Sequence, residues 1–146
     1  EEICQTKKNV KIVTNSYFIA DYIQGYDSCK IILLGGEFQK ESRVTVGPLL
    51  KELIRSFRVP FAFVGVDGYD DELGFTGKDM MRSEVVQAMS DVSKEVVVLT
   101  DSSKFGKCGT VRRFALSQVS RVITDKSISQ DAKKKLEDSQ TILTIV

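Results

Sequence analysis

Apolar residues along this chain follow two rhythms. Short, nearly unbroken runs occur at KIVT (11–14), KIILL (30–34), FAFVGV (61–66), EVVVL (95–99), RVIT (121–124) and TILTIV (141–146). These are rich in β-branched side chains and too brief for helices, so each predicts a strand, and the near-continuity of FAFVGV predicts one covered on both faces. Between them, apolar positions recur every three or four residues: Phe18, Ile19, Tyr22 and Ile23; Leu49, Leu50, Leu53, Ile54 and Phe57; Met81, Val85, Ala88, Met89 and Val92. That spacing places one apolar stripe on a helix. Local signals agree: Asn15 or Ser16 serves as N-cap of the first helix, Pro48 follows Gly47 at the start of the second, and Thr76 and Asp79 are spaced like a capping box before the third. SQDAKKKLEDS (129–139) predicts a fourth. VTV (44–46) reads as a short strand, residues 67–77 as a loop, GGEF (35–38) as a turn at a strand end, and VRRFALSQV (111–119) as irregular.

Strands alternating with helices at this spacing give an α/β domain with a mostly parallel sheet and helices on both faces. No linker, repeat or low-complexity tract interrupts it, so residues 1–146 are expected to form a single domain. In such a sheet the carboxyl ends of the strands line one edge, and ligands bind in the crevice there. The unusual residues fall in the loops that follow strands: Thr14-Asn15, Gly35-Gly36-Glu37, Gly65 to Gly77, Asp101 to Gly109, and Thr124-Asp125. Their convergence would make one site.

Composition narrows the chemistry of that site. Histidine is absent, which removes Ser-His and Cys-His nucleophilic pairs, His-based zinc sites and imidazole acid–base catalysis. The three cysteines lack C-x-x-C spacing and read as reduced thiols of a cytoplasmic protein; no metal or other cofactor is expected. The apolar runs are too short to cross a bilayer, and EEICQTKKNV has no secretory pattern, so no membrane partner is expected. A net charge of +1 provides no sequence-wide attraction for a polyanion, but a compact anion needs only a few local donors.

Two loops carry such groups. In GVDGYDDELGFTG, Asp67 lies just past a strand end, where a carboxylate accepts hydrogen bonds from hydroxyls. Read plainly, the segment is an acidic turn, with Asp70, Asp71 and Glu72 in solvent. TDSSKFGK combines hydroxyls, backbone donors and an ammonium, a set suited to a phosphate monoester; read plainly, it is a polar turn. Nucleotide signatures fail: no G-x-G-x-x-G occurs, and neither TGKD nor FGKC completes a P-loop, because Glu72 or Asp101 stands at the first glycine and Asp79 or Cys108 at the hydroxyl position.

Taken in order, VTNS with IA (13–16, 19–20), LLGGEF (33–38), VGP (46–48), FAFVGVDGYDDELGFT (61–76), SEVVQAM (83–89), VVVLTDSSKFGK (96–107) and VITD (122–125) resemble the C-terminal sensor domain of DeoR-family bacterial transcriptional regulators. The resemblance runs through nearly the whole chain. It implies a fold similar to ribose-5-phosphate isomerase and its sugar-phosphate isomerase relatives, used to sense a phosphorylated sugar or related metabolite and to control an attached helix-turn-helix domain. The winged helix-turn-helix is missing from this chain, as is the strand and Gly-Thr-Thr-type loop expected before VTNS, so DNA would be bound only through the absent domain. Regulators reading palindromic operators are at least dimers, which makes a homo-oligomer the expected state.

The resemblance also assigns residues. Lys104 matches the lysine of the D-x-x-K-F-G motif and would face phosphate; Asp67 matches the aspartate of G-x-D-G, and Glu84 the glutamate that begins the next helix. With the loop positions above, the candidate ligand contacts are Asn15, Gly35, Gly36, Asp67, Gly68, Thr76, Glu84, Asp101 and Lys104. No catalytic role is expected of them in a regulator. The alternative is an isomerase-like enzyme with Asp67 or Glu84 as base and Lys104 stabilising an enediolate. In the regulator reading, effector binding shifts a population between two states, with the helix over 82–92 as lever. The 49–57 helix is suited to core or to dimer contacts.

Overall fold

The computed structural model describes residues 2–146. Two compact units are present, one ending at Ser56 and the other formed by Phe57–Val146.

The first unit contains α1 (Glu2–Thr6), β1 (Val10–Thr14), α2 (Tyr17–Ile23), β2 (Cys29–Leu33), β3 (Glu37–Gln39), β4 (Val44–Val46) and α3 (Pro48–Arg55). β1 and β2 pair in parallel, Val10 opposite Cys29 and Thr14 opposite Leu33, with α2 as the crossover. Of the two N-cap candidates, Ser16 takes the role: its hydroxyl accepts from the Ile19 amide at 3.3 Å. α3 begins at Pro48, where the missing proline N–H costs nothing, and buries Leu50 and Ile54 while Leu49 and Leu53 stay exposed. One local expectation is corrected. The turn in GGEF is confined to its glycines, because Glu37 already enters β3, which pairs antiparallel with β4. α1 lacks the apolar periodicity that would have predicted it, and buries only Cys4.

The second unit contains β5 (Val59–Gly65), β6 (Gly68–Asp70), β7 (Gly74–Gly77), α4 (Met80–Asp91), β8 (Ser93–Leu99), β9 (Val111–Phe114), β10 (Arg121–Thr124), α5 (Gln130–Glu137) and β11 (Ile142–Ile145). β5, β8, β10 and β11 form a sheet in the order β11-β10-β8-β5, every pair parallel. Gly65 pairs with Leu99 and Leu99 with Ile123, so three strands end level and deliver their following loops to one edge. The chain is thus a mixed α/β protein with a mostly parallel sheet, as the strand and helix alternation predicts.

One face of this sheet, with Ala62, Val64, Val96, Val98 and Val122, packs against Ala132 and Leu136 of α5 and against Tyr69, Phe75 and Phe114. Each fully buried aliphatic side chain in such a core contributes roughly 1.5–3 kcal/mol. The expectation that β5 is covered on both faces is corrected: Phe61 and Phe63 alternate with the core residues and are about half exposed, at 48% and 49%.

The segment expected as a loop at 67–77 is a hairpin, β6 with β7, and the segment expected as irregular supplies β9, which pairs antiparallel with β7. Three glycines in strands of three and four residues hide any alternation, and β9 lies more than thirty residues from its partner, so no local pattern announces the sheet. The capping box at α4 is also corrected. Asp79 caps the helix, its Oδ1 accepting from Arg82 N at 2.7 Å, whereas Thr76 is part of β7.

Candidate functional site

Where β5, β8 and β10 end, a crevice of about 430 Å³ opens to solvent. Gly65, Leu99, Thr100, Asp101, Thr124 and Asp125 are among the residues lining it. Parallel strands of matched length make this the natural ligand edge. Thr124, the last residue of β10, is buried, and its Oγ1 has no hydrogen-bond partner among the described residues. A buried hydroxyl left in that state is costly.

The loop after β8 forms one rim. Asp101 Oδ1 accepts from the Ser103 amide at 3.0 Å, which caps the short 3₁₀ turn Ser102–Lys104. Hydrogen bonding from the Ser103 side chain, and to a lesser extent from its amide and the charge of Lys104, lowers the Asp101 pKa below the usual carboxylate range. Lys104 Nζ lies 3.7 Å from Asp101 Oδ2, with its side chain about one-third exposed. Phe105 anchors the turn by packing on the Tyr69 ring, centroids 5.6 Å apart. Asp125, at the end of β10, fastens the same turn from the other side: Oδ2 accepts from Ser102 N at 2.6 Å and Oδ1 from Ser127 N at 2.8 Å. Those two backbone donors hold its pKa down at about 2. Two carboxylates therefore stand at the rim held by backbone amides, with one ammonium beside Asp101.

The loop after β5 places Asp67. Its Oδ2 accepts from Lys78 N at 2.9 Å and lies 3.4 Å from Arg113 Nη2, while its own amide donates to the Thr76 carbonyl at 2.9 Å. Gly68 is a position of obligate close approach, since a Cβ there would lie 2.2 Å from the Lys107 carbonyl oxygen. The glycine-containing stretch after Lys104 thus lies directly against the hairpin: the Gly106 amide donates to the Tyr69 carbonyl at 3.1 Å, and the Gly109 amide to Thr76 Oγ1 at 2.7 Å. Thr76 is wholly buried, and its hydroxyl oxygen is engaged by that amide. Glu84 is exposed, one turn into α4.

Asn15, Gly35 and Gly36 belong to the first unit. Asn15 Nδ2 donates to the Thr45 carbonyl at 2.7 Å and its carbonyl accepts from Thr45 N at 2.9 Å, so this side chain fastens the end of β1 to β4. Gly35 and Gly36 follow β2 and are exposed.

Sequence reasoning missed Arg113 and left Thr124 and Asp125 out of the contact set. Arg113 is the one charged side chain among the described residues that is buried. The available signal was a cation inside a short apolar run, VRRF, where period two puts one arginine inward. Thr124 and Asp125 stood at a strand end, a position that itself marks the ligand edge. The cysteines are all unpaired, and burial together with a hydrogen bond from Cys29 raises the Cys4 pKa, the hydrogen bond being the larger cause. Among the described residues no cluster of histidine, cysteine or carboxylate side chains is placed to hold a metal ion, and no helix is long and apolar enough to cross a membrane.

Comparison with known proteins bears on this geometry. The chain is 27% identical over 140 residues to an uncharacterized HTH-type transcriptional regulator of Haemophilus influenzae, covering 96% of this chain and 54% of the relative. It is 30% identical over 117 residues to the glycerol-3-phosphate regulon repressor of Escherichia coli, covering 80% and 46%. It is 31% identical over 119 residues to the HTH-type transcriptional repressor GlcR of Bacillus subtilis, covering 82% and 46%. The chain therefore spans about half the length of these relatives. The family model described as the DeoR C terminal sensor domain matches residues 1–126, and the chain accordingly belongs to the DeoR C-terminal sensor domain family.

Proposed function

We propose that this chain is the effector-sensing part of a cytoplasmic transcriptional repressor, taking a phosphorylated sugar or related polyol phosphate and controlling DNA binding by an attached helix-turn-helix domain. The observation that carries this reading is the edge of the second unit, where three strand ends bring Asp101 and Asp125 to one crevice, with Lys104 Nζ 3.7 Å from the Asp101 carboxylate. Carboxylates accept from sugar hydroxyls, and the single ammonium is the element suited to an anion. Asp67, held by backbone and arginine donors through Oδ2, keeps Oδ1 for a ligand hydroxyl. Gly68 and Thr76 act by shaping that loop, and Glu84 contributes from the start of α4. For Asn15, Gly35 and Gly36 a ligand contact is a separate proposal, tested by Asn15→Ala.

The family's relatives are transcriptional regulators, which supports sensing rather than turnover. The names of two relatives refer to glycerol 3-phosphate and to repression, and those terms apply to the relatives themselves. Effector binding would stabilise one of two states of a homo-oligomer and thereby change how its DNA-binding domains are held.

Calorimetric titration with sugar phosphates, each paired with its unphosphorylated sugar, tests the proposal when the products of the same mixtures are analysed. Phosphate-dependent binding without conversion is the expected result. Conversion of an aldose phosphate to its ketose would establish an isomerase in place of a sensor.

A further inference from the structure

Arg113 makes contacts in three directions from β9. Nη1 donates to the Gly65 carbonyl at the end of β5 at 2.7 Å, Nε to Ser83 Oγ in the first turn of α4 at 3.0 Å, and Nη2 to Asp67 Oδ2 at 3.4 Å. The side chain is 6% exposed. Room for it is made by Gly77, where a Cβ would lie 2.3 Å from Nε. Burial presses the Arg113 pKa below its ordinary value while Asp67 pulls it back up, which is the signature of a desolvated cation steadied by a counter-charge.

Ser83 continues the chain of contacts. Its hydroxyl accepts from Arg113 and donates to the Asp79 carbonyl at 2.7 Å. Asp79 is the N-cap of α4 and accepts from Arg82 N. A continuous path of hydrogen bonds therefore runs from the Asp67 carboxylate through the guanidinium and the Ser83 hydroxyl to the residue that starts the helix.

We infer that Arg113 is a positioning residue that couples the Asp67 carboxylate to the N-terminal turn of α4, so that occupation of Asp67 is transmitted to that helix. The inference rests on the reading of Asp67 as an effector contact. A buried guanidinium cannot surrender a partner cheaply, because the released donors would stay desolvated. A ligand hydroxyl donating to Asp67 Oδ1 draws carboxylate charge away from Oδ2, which weakens the bond to Nη2 and shifts the guanidinium toward its remaining acceptors, Gly65 O and Ser83 Oγ. Only one of these belongs to a helix. The change is therefore delivered to the first turn of α4, whose cap lies one hydrogen bond further on.

The test needs no effector at its first stage. Asp67→Asn and Ser83→Ala are made singly and together in the whole chain, and amide hydrogen exchange is read at residues 80–84. With Arg113 present, their effects on exchange should be non-additive by a factor of roughly 3 to 10, as for residues sharing one network. In Arg113→Met, or in Arg113→Lys should the former fail to fold, the same pair should become additive. Additivity with Arg113 in place overturns the relay. At the second stage glycerol 3-phosphate and fructose 6-phosphate are the probes. Ser83→Ala should bind whichever of them the unsubstituted chain binds with unchanged affinity, yet lose the ligand-dependent change at 80–84; a retained change overturns the relay. If neither probe binds the unsubstituted chain, the effector reading of Asp67 fails for this ligand class, while the cycle still decides whether Arg113 couples the two positions.

Discussion

At the scale of single residues, the second unit commits its polar side chains to backbone donors at the strand ends. Asp125 is the sharpest case. Its folded pKa of about 2 lies below the value near 4 of an unconstrained aspartate. A depressed carboxylate stabilises the fold fully above its unfolded pKa and loses that contribution as pH falls through the folded value. Asp125→Asn should therefore be less stable than the parent at pH 7, with the gap closing between about pH 4 and about pH 2; denaturant midpoints across that range measure it. Thr76 gives a second expectation. Thr76→Val keeps the shape but leaves the Gly109 amide without its acceptor, and should cost about 1–3 kcal/mol in a urea titration. Legibility at this scale was uneven. Asp67 stands out because it follows an apolar run directly and Lys104 because it lies in the polar loop after one, whereas Arg113 looks like an ordinary surface cation until β9 turns it inward against α4.

At the scale of elements, helices and parallel strands were legible because each rests on a periodicity contained in about ten consecutive residues. α3, α4 and α5 appear in the segments read as helical, although α4 starts at Met80 after an Asp79 cap and not at a Thr76 capping box. The β6-β7-β9 sheet was not legible. Its strands are three or four residues long, its glycines serve backbone packing, and its last strand comes from a distant segment. Gly68→Ala tests how far this small sheet supports the β8 loop. The added methyl would meet the Lys107 carbonyl, so residues 105–109 should move off the hairpin, with a loss of about 1–3 kcal/mol in stability and faster exchange of the Gly106 and Gly109 amides. An unchanged exchange pattern would show that the 3₁₀ turn and Asp125 hold the loop unaided.

At the scale of the molecule, the proposed role demands that phosphate recognition and stability be separable. Lys104 is part of the rim and absent from the core, so Lys104→Ala should leave thermal unfolding nearly unchanged. Affinity for a sugar phosphate should fall roughly tenfold to hundredfold, the worth of one charge-assisted hydrogen bond, with little effect on the unphosphorylated sugar. Equal losses for both ligands would move Lys104 from anion recognition to loop structure. The sequence by itself determined the α/β class, the parallel order of strand and helix and the family, because these follow from local periodicity and from motifs read in order. Tertiary structure alone decided which polar groups face the crevice, which are consumed by backbone amides, and that a buried arginine ties Asp67 to α4. Those outcomes depend on distances between segments tens of residues apart, and a hydrogen bond is decided by a few tenths of an ångström that no spacing along the chain encodes.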